Sequence, residues 1–301
     1  NNADATITAE TAEITATTIS NAGTLYQLES DTANAAFNIT AEKFTNAESN
    51  AIVDVSNGLF NLNTLINQGL IRERQDSALD PESDSDQLRL TNVETLNNSG
   101  ELILYSDLTL TGTRLNNNGN NAYIRANSLT AQKLTDFSNS GKIATQNVLS
   151  LNSENALANQ GELVANQFIA NIAQDFTNQG LVQATTQLEI SAQNISNEAG
   201  AEISKIGTDT NLELSAIGRI NNAGNIASKS GLNVNADDIL NSQNISSSKT
   251  TTLLANSLNN TGLIYGHDLN IGSNEKFITQ TRDEIRPEAD IDTEADAGGL
   301  V

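Results

Sequence analysis

The chain has 301 residues, a net charge of −22 and a pI near 4.1, which argues against a nucleic-acid-binding protein because binding a phosphate backbone needs a basic surface. Cysteine is absent, so disulfides, thiolate metal sites and cysteine nucleophiles are excluded. Aromatic residues make up only 4% of the chain, so we predict a thin core built from Leu, Ile, Val and Ala.

A short phrase returns along the chain: an apolar residue, an Asn two places later, and a Gly two places after the Asn. In LANQGELV it comprises Leu157, Asn159 and Gly161, and it returns nineteen residues later in FTNQGLV. Gly200 follows its Asn by three places, and Gln243 stands where another Gly is due. The residues predicted to form turns and a stacked Asn ladder are Asn98, Gly100, Asn117, Gly119, Asn139, Gly141, Asn159, Gly161, Asn178, Gly180, Asn222, Gly224, Asn260 and Gly262.

Between the phrases, apolar and polar residues alternate in short runs, as in ELILYSDLTL. Alternation with a period of two predicts strands that bury one face. Because Asn and Gly both tolerate positive φ, the Asn-x-Gly step predicts a turn. A unit of about 20 residues with two or three short strands predicts an all-β parallel β-helix of about twelve coils, in which the recurrent Asn residues stack.

One segment interrupts the repeat near the start of the chain. IRERQDSALDPESDSDQLRL, residues 71–90, contains about eleven extra residues, and insertions of this kind leave a solenoid as loops that often carry recognition. The alternative is a solvated acidic loop without a partner. The candidate receptor contacts in this segment are Arg72, Arg74, Asp84 and Asp86.

The phrase is lost again at the C-terminal end. We therefore predict that residues 1–275 form the repeat region and that 276–301 form an acidic tail, a linker or the start of another region. Acidic residues alternate between Asp290 and Asp296, but the Gly and the closing Glu of a calcium loop are not in position.

The sequence contains no catalytic or cofactor motif. The one histidine, His267, lies in LIYGHDLNIG without a nearby Ser or Cys partner, which favours a structural role. No acidic cluster repeats across neighbouring coils to make a catalytic cleft, so a polysaccharide-active β-helix enzyme is a distant alternative. We predict no enzymatic activity, no cofactor and no metal, and the absence of a long apolar run predicts no membrane insertion.

Several phrases resemble the filamentous haemagglutinin repeats of bacterial two-partner secretion exoproteins: LNNSGELILYSDLTLTG, FSNSGKIATQNVLSLNSEN, LANQGELVANQFIANIAQD and INNAGNIASKSGLNVNADDIL. The resemblance covers about residues 10–275. It implies a right-handed parallel β-helix, export through a dedicated outer-membrane transporter, and display at the bacterial cell surface.

The resemblance implies two functions, which the sequence leaves open. The first is a shaft or receptor-binding segment of a CdiA-type contact-dependent growth inhibition effector, which contacts an outer-membrane protein or lipopolysaccharide of a target cell for toxin delivery. The second is a host-cell or biofilm adhesin of the same architecture.

Overall fold

The computed structural model describes residues 1–29, 35–74 and 87–273, and the backbone of two short strands at 277–281 and 284–285. The described residues form strands and turns, and they build about twelve coils of a parallel β-solenoid spaced by about 20 residues. The parallel β-helix predicted from the repeat is therefore confirmed. The chain divides into two compact units, residues 1–152 with 161–165, and residues 153–160 with those from 166 onward.

In the first unit, each strand pairs in parallel with the equivalent strand of the next coil, about 20 residues along the chain. Outward and inward residues alternate along each strand, as expected for a sheet with one buried face. The strands are β1 (Thr6–Ala9), β2 (Ala12–Asn21), β3 (Thr24–Gln27), β4 (Phe37–Asn46), β5 (Ile52–Val55), β6 (Gly58–Asn67), β7 (Leu70–Glu73), β8 (Leu88–Thr91), β9 (Thr95–Asn98), β10 (Glu101–Ile103), β11 (Leu108–Leu110), β12 (Arg114–Asn117), β13 (Tyr123–Ala126), β14 (Leu129–Leu134), β15 (Asp136–Asn139), β16 (Lys142–Thr145) and β17 (Val148–Ser153).

The second unit is built in the same way, with three strand segments in each coil. Its strands are β18 (Leu157–Asn159), β19 (Glu162–Ile172, whose first four residues belong to the first unit), β20 (Phe176–Asn178), β21 (Leu181–Ala192), β22 (Ile195–Asn197), β23 (Glu202–Lys205), β24 (Leu212–Ala216), β25 (Arg219–Asn222), β26 (Asn225–Ser228), β27 (Leu232–Asn235), β28 (Asp238–Asn241), β29 (Asn244–Ser247), β30 (Thr250–Leu254), β31 (Ser257–Asn260), β32 (Leu263–Tyr265), β33 (Asp268–Gly272), β34 (Phe277–Thr281) and β35 (Glu284–Ile285).

The last two of these strands reverse the direction of the chain. Strand β34 pairs antiparallel with β33, and β35 pairs antiparallel with β32. The backbone of these two strands therefore continues the sheet within the segment that the sequence assigns to a tail or linker.

The core is a column of inward side chains, mostly Leu, Ile, Val and Ala, with almost no solvent exposure. It also contains phenylalanine, which corrects the predicted composition: the largest fully buried apolar side chains are Phe37, Phe44, Phe60, Phe168 and Phe176. Phe44 and Phe60 lie in neighbouring coils with their ring centroids 6.1 Å apart. A few aromatic rings suffice because each coil encloses only a few side chains.

Buried Asn side chains stack along each unit, and each Nδ2 donates to the Oδ1 of the Asn one coil later. In the first unit, these bonds are Asn21 to Asn46 (2.8 Å), Asn46 to Asn67 (3.0 Å), Asn67 to Asn98 (2.8 Å), Asn98 to Asn117 (2.7 Å) and Asn117 to Asn139 (2.8 Å). In the second unit, they are Asn159 to Asn178 (2.9 Å), Asn178 to Asn197 (2.9 Å), Asn197 to Asn222 (2.9 Å), Asn222 to Asn241 (2.8 Å) and Asn241 to Asn260 (2.8 Å).

The same amides also bind the turns. Asn178 Nδ2 donates to the carbonyl of Gly180 (3.1 Å) in its own coil and of Glu202 (3.0 Å) in the next coil. Its Oδ1 accepts from the backbone N–H of Gly180 (3.3 Å). An amide carries a donor and an acceptor on one short planar group, which explains why Asn rather than Asp or Ser recurs here.

The turn glycines serve a different purpose from the one predicted. Among the described glycines, a positive φ occurs at Gly119 and Gly200, and not in the other Asn-x-Gly turns. A Cβ on Gly161 would instead lie 1.9 Å from the carbonyl oxygen of Gly141, and one on Gly100 would lie 2.0 Å from that of Gly69. In these coils glycine lets successive coils approach backbone to backbone at the turn, whereas other coils accommodate Ala or Gln at the same position.

Two predicted turn glycines lie outside the common turn position. Tyr123 pairs with Glu101, so Ala122 rather than Gly119 aligns with Gly100. Likewise, Glu202 pairs with Leu181, so Ala201 and not Gly200 occupies the position. In both coils the turn is longer: the N–H of Ala122 donates to Gly119 (3.1 Å) and that of Ala201 to Glu198 (3.0 Å).

Candidate recognition site at the insertion

The 71–90 segment begins and ends in coil strands. Strand β7 pairs with β5 and β10, and strand β8 pairs with β6. The excursion therefore lies between Arg74 and Gln87. Asp84 and Asp86 lie outside the described residues, and their role as contacts stays a prediction.

Both candidate arginines in the described part of the segment bind Asp54, whose side chain is 5% exposed. Arg72 forms an ion pair with Oδ2, and Nη1 of Arg74 lies 3.5 Å from Oδ1. Arg74 also donates to the carbonyl of Gln27 (2.6 Å) and stacks over the ring of Tyr26 at 4.6 Å. The side chain of Arg74 is 19% exposed and that of Arg72 is 45% exposed, so Arg72 is the more accessible to a partner.

Glu73, the last residue of β7, carries a buried carboxylate. Its Oε2 accepts hydrogen bonds from the backbone N–H groups of Tyr105 (2.6 Å) and Ser106 (3.0 Å) in the next coil. Burial raises the pKa of Glu73, and these hydrogen bonds oppose that rise. The carboxylate thus satisfies two backbone donors of the next coil at the end of β7.

A family model described as haemagglutinin repeat matches residues 1–72, 83–135, 125–211 and 205–277. The chain belongs to the haemagglutinin repeat family. Searches of curated proteins and of solved structures each found no match. Haemagglutinin repeats indicate a filament or adhesin segment of a protein secreted to the cell surface by the two-partner route, and together with the solenoid fold they favour a structural adhesin over an enzyme.

Glu73→Gln in this haemagglutinin repeat region is expected to maintain or raise stability at neutral pH. Gln27 shows that an amide fits such a position: its Oε1 accepts from the backbone N–H groups of Ser56 and Asn57, each at 3.0 Å. The pKa of Glu73 is higher in the folded state than in the unfolded state. At pH values between these two pKa values, the folded protein binds more protons than the unfolded chain. The contribution of Glu73 to stability therefore falls as pH rises through that window, and the Gln variant lacks this dependence.

Glu73→Ala is the matched comparison, because it leaves both buried N–H groups without an acceptor and is expected to lower the free energy of unfolding by about 2 kcal/mol. Urea denaturation at mildly acidic and neutral pH measures all three proteins. Equal losses in the Gln and Ala variants at neutral pH would contradict the assigned role of the carboxylate oxygen.

Sequence reasoning missed Asp54, Glu73 and Tyr26 as parts of this site. A signal exists for Glu73, which follows Ile71 at an inward position of the alternation and is therefore placed inside the coil. Asp54 lies on the outward face, where it is buried and forms ion pairs with two arginines of the next coil. No local pattern reveals that arrangement.

His267 is exposed between β32 and β33, and its backbone N–H donates to Lys249 (2.6 Å). Within the described ranges, no group of three or more His, Cys, Asp or Glu side chains could hold a metal ion. The part of the chain that the structure describes contains no helix long and apolar enough to cross a membrane.

Proposed function

We propose that this haemagglutinin repeat region is the receptor-binding segment of a contact-dependent growth inhibition effector, which contacts target bacteria during toxin delivery. The observation that carries the proposal is the 71–90 insertion, whose first and last residues belong to paired strands of the solenoid. A recognition loop between two such strands would be presented at a fixed place on a rigid support, as recognition loops commonly are.

The proposed contacts are Arg72, Arg74, Asp84 and Asp86, and of the two arginines Arg72 is the more exposed. The proposed partner is an outer-membrane protein or lipopolysaccharide of the target cell. The coils of residues 1–275 supply the support, because each strand of a solenoid is paired on both sides by its neighbours and leaves little free edge. Residues 276–301 form the proposed tail or link to the next region.

The second candidate is a host-cell or biofilm adhesin, which the description of the family itself favours. The same insertion would then contact a host or matrix component. The two candidates differ in the cell that is recognised and not in the architecture that recognises it.

Binding of the labelled chain to a panel of Gram-negative bacteria and to cultured host cells tests the proposal. The variant replaces residues 75–86 with a Gly/Ser segment of equal length, which keeps Arg72, Glu73 and Arg74 in place and preserves loop closure. We expect saturable binding to some bacterial strains and at least about tenfold weaker binding by the variant. Binding to host cells alone would favour the adhesin, and no binding to any cell would make this segment a spacer.

A further inference from the structure

The outward face of the sheet beside the insertion has an unusual composition. One row on this face consists of successive partners in neighbouring strands: Tyr26, Asp54, Arg72, Ile103 and Arg125. A second row runs alongside, in which Leu70 lies next to Glu101 and Glu101 next to Tyr123. We call the surface formed by these residues the Tyr–Arg face: Tyr26, Leu70, Arg72, Ile103, Tyr123 and Arg125.

The second unit shows how different the same outward positions are elsewhere. One row there contains Glu202, Asn225 and Asn244 between Leu181 and Leu263, and the row beside it contains Ser204, Ala227 and Ser246 before Tyr265. These rows contain no arginine, whereas the other three tyrosines of the chain lie on or next to the Tyr–Arg face, where partly exposed Ile103 separates Arg72 from Arg125. Tyr and Arg are enriched and Ser is depleted where proteins bind one another.

The charge of the face also differs from that of the chain. Asp54 is already bound by Arg72 and Arg74. The guanidinium of Arg125 stacks on the ring of Tyr105 at 4.9 Å, and among the described residues it forms no ion pair. Together with the neighbouring Arg74, the guanidinium groups of Arg72 and Arg125 outnumber the two carboxylates of these rows, Asp54 and Glu101, on a chain with a net charge of −22. Such a face favours a partner that presents anionic groups.

We propose that the Tyr–Arg face docks an acidic surface of a protein on the target cell. This inference rests on the proposed function and names the chemistry of the partner. A protein fits better than a glycan because apolar Ile103 lies between Arg72 and Arg125 and apolar Leu70 lies in the adjacent row, where a saccharide would need hydrogen-bonding groups. Acidic side chains of the partner would bind Arg72 and Arg125, and its apolar side chains would cover the aliphatic and tyrosine side chains between them.

The test titrates the 301-residue chain onto whole Gram-negative cells, with and without proteinase K treatment of the cells, at low and high salt. The variants are Arg125→Ala, Arg125→Glu and Tyr123→Ala, and the matched controls are Asn225→Ala and Ser246→Ala on the second unit. We expect wild-type binding to weaken with salt and to disappear after proteinase K. Arg125→Ala and Tyr123→Ala should each bind about tenfold more weakly, and Arg125→Glu more weakly still.

The controls and an Arg125→Lys variant, which keeps the charge, should bind within a few-fold of wild type, and thermal unfolding should show all variants folded. Undiminished binding by Arg125→Glu and Tyr123→Ala, with loss in the 75–86 replacement, would overturn the Tyr–Arg face and leave the proposed function standing. Binding that survives proteinase K and requires lipopolysaccharide would overturn the protein partner. An absence of wild-type binding to every strain would overturn both proposals.

Discussion

Asn178→Asp is expected to lower the free energy of unfolding by at least about 3 kcal/mol at neutral pH, although the two side chains have nearly the same shape. The amide Nδ2 donates to the oxygens of Gly180, Asn197 and Glu202 at 2.9–3.1 Å. A carboxylate only accepts, so it would face three oxygens without a hydrogen between them, in a site with no solvent exposure. The expected loss is that of a buried charge without a partner.

The pH dependence separates this explanation from a simple loss of packing. The burial of the introduced carboxyl raises its pKa in the folded state, so the folded state binds the proton more tightly than the unfolded state does. The variant should therefore regain stability as pH falls through that range. Asn259→Asp on β31 adds the same charge at an exposed position and should change stability by no more than about 0.5 kcal/mol. Equal losses in the two variants, measured by urea denaturation, would contradict the role of the ladder.

Gly161→Val should lower the free energy of unfolding by about 3 kcal/mol, because its Cβ would lie 1.9 Å from the carbonyl oxygen of Gly141. The two other nearest atoms also belong to the backbone of the neighbouring turn, at 2.7 and 2.9 Å, so a rotation of a side chain cannot relieve the overlap. The coils would have to separate locally, which weakens the strand pairs on both sides of the turn. Thermal and urea denaturation measure the effect.

Gly200 provides the control, because it combines a φ of +83° with free space around its missing Cβ. If close approach of the backbone is the reason for glycine at the turn, Gly161→Ala should destabilise the protein more than Gly200→Ala does. Gly200→Asn should then be nearly neutral, because Asn tolerates a positive φ. If positive φ were the reason for the turn glycines, the order of the two Ala variants would be reversed.

The sequence was sufficient to predict the coil because its repeat contains both the period and the side-chain alternation. Period-two runs identify the inward residues, and the nineteen-residue return between the Leu157 and Phe176 phrases matches the pairing of β18 with β20. The placement of Gly119 failed for a local reason. An Asn-x-Gly string looks the same in a short turn and in a longer one, and only the partner of Tyr123 shows which residue aligns with the neighbouring coils.

The candidate site was less predictable than the coil. A gap in the repeat located the insertion, but the ion pairs of Arg72 and Arg74 join strands of different coils. Asp54 is eighteen residues before Arg72, and nothing in the sequence around either residue marks the pair. Contacts across coils depend on the exact register, and a repeat of about 20 residues does not fix the eighteen-residue spacing that makes Asp54 and Arg72 strand partners.

The Asn ladder has a direction. In both units, each Asn–Asn bond runs the same way: Nδ2 donates toward the coil that follows in the chain, and Oδ1 accepts from the coil before it. The most recently folded coil therefore presents amide hydrogens to the segment that comes next, and an Asn oxygen at the right interval completes the bond. If the coils fold in the order of the chain, the ladder would provide a polar template for each added coil.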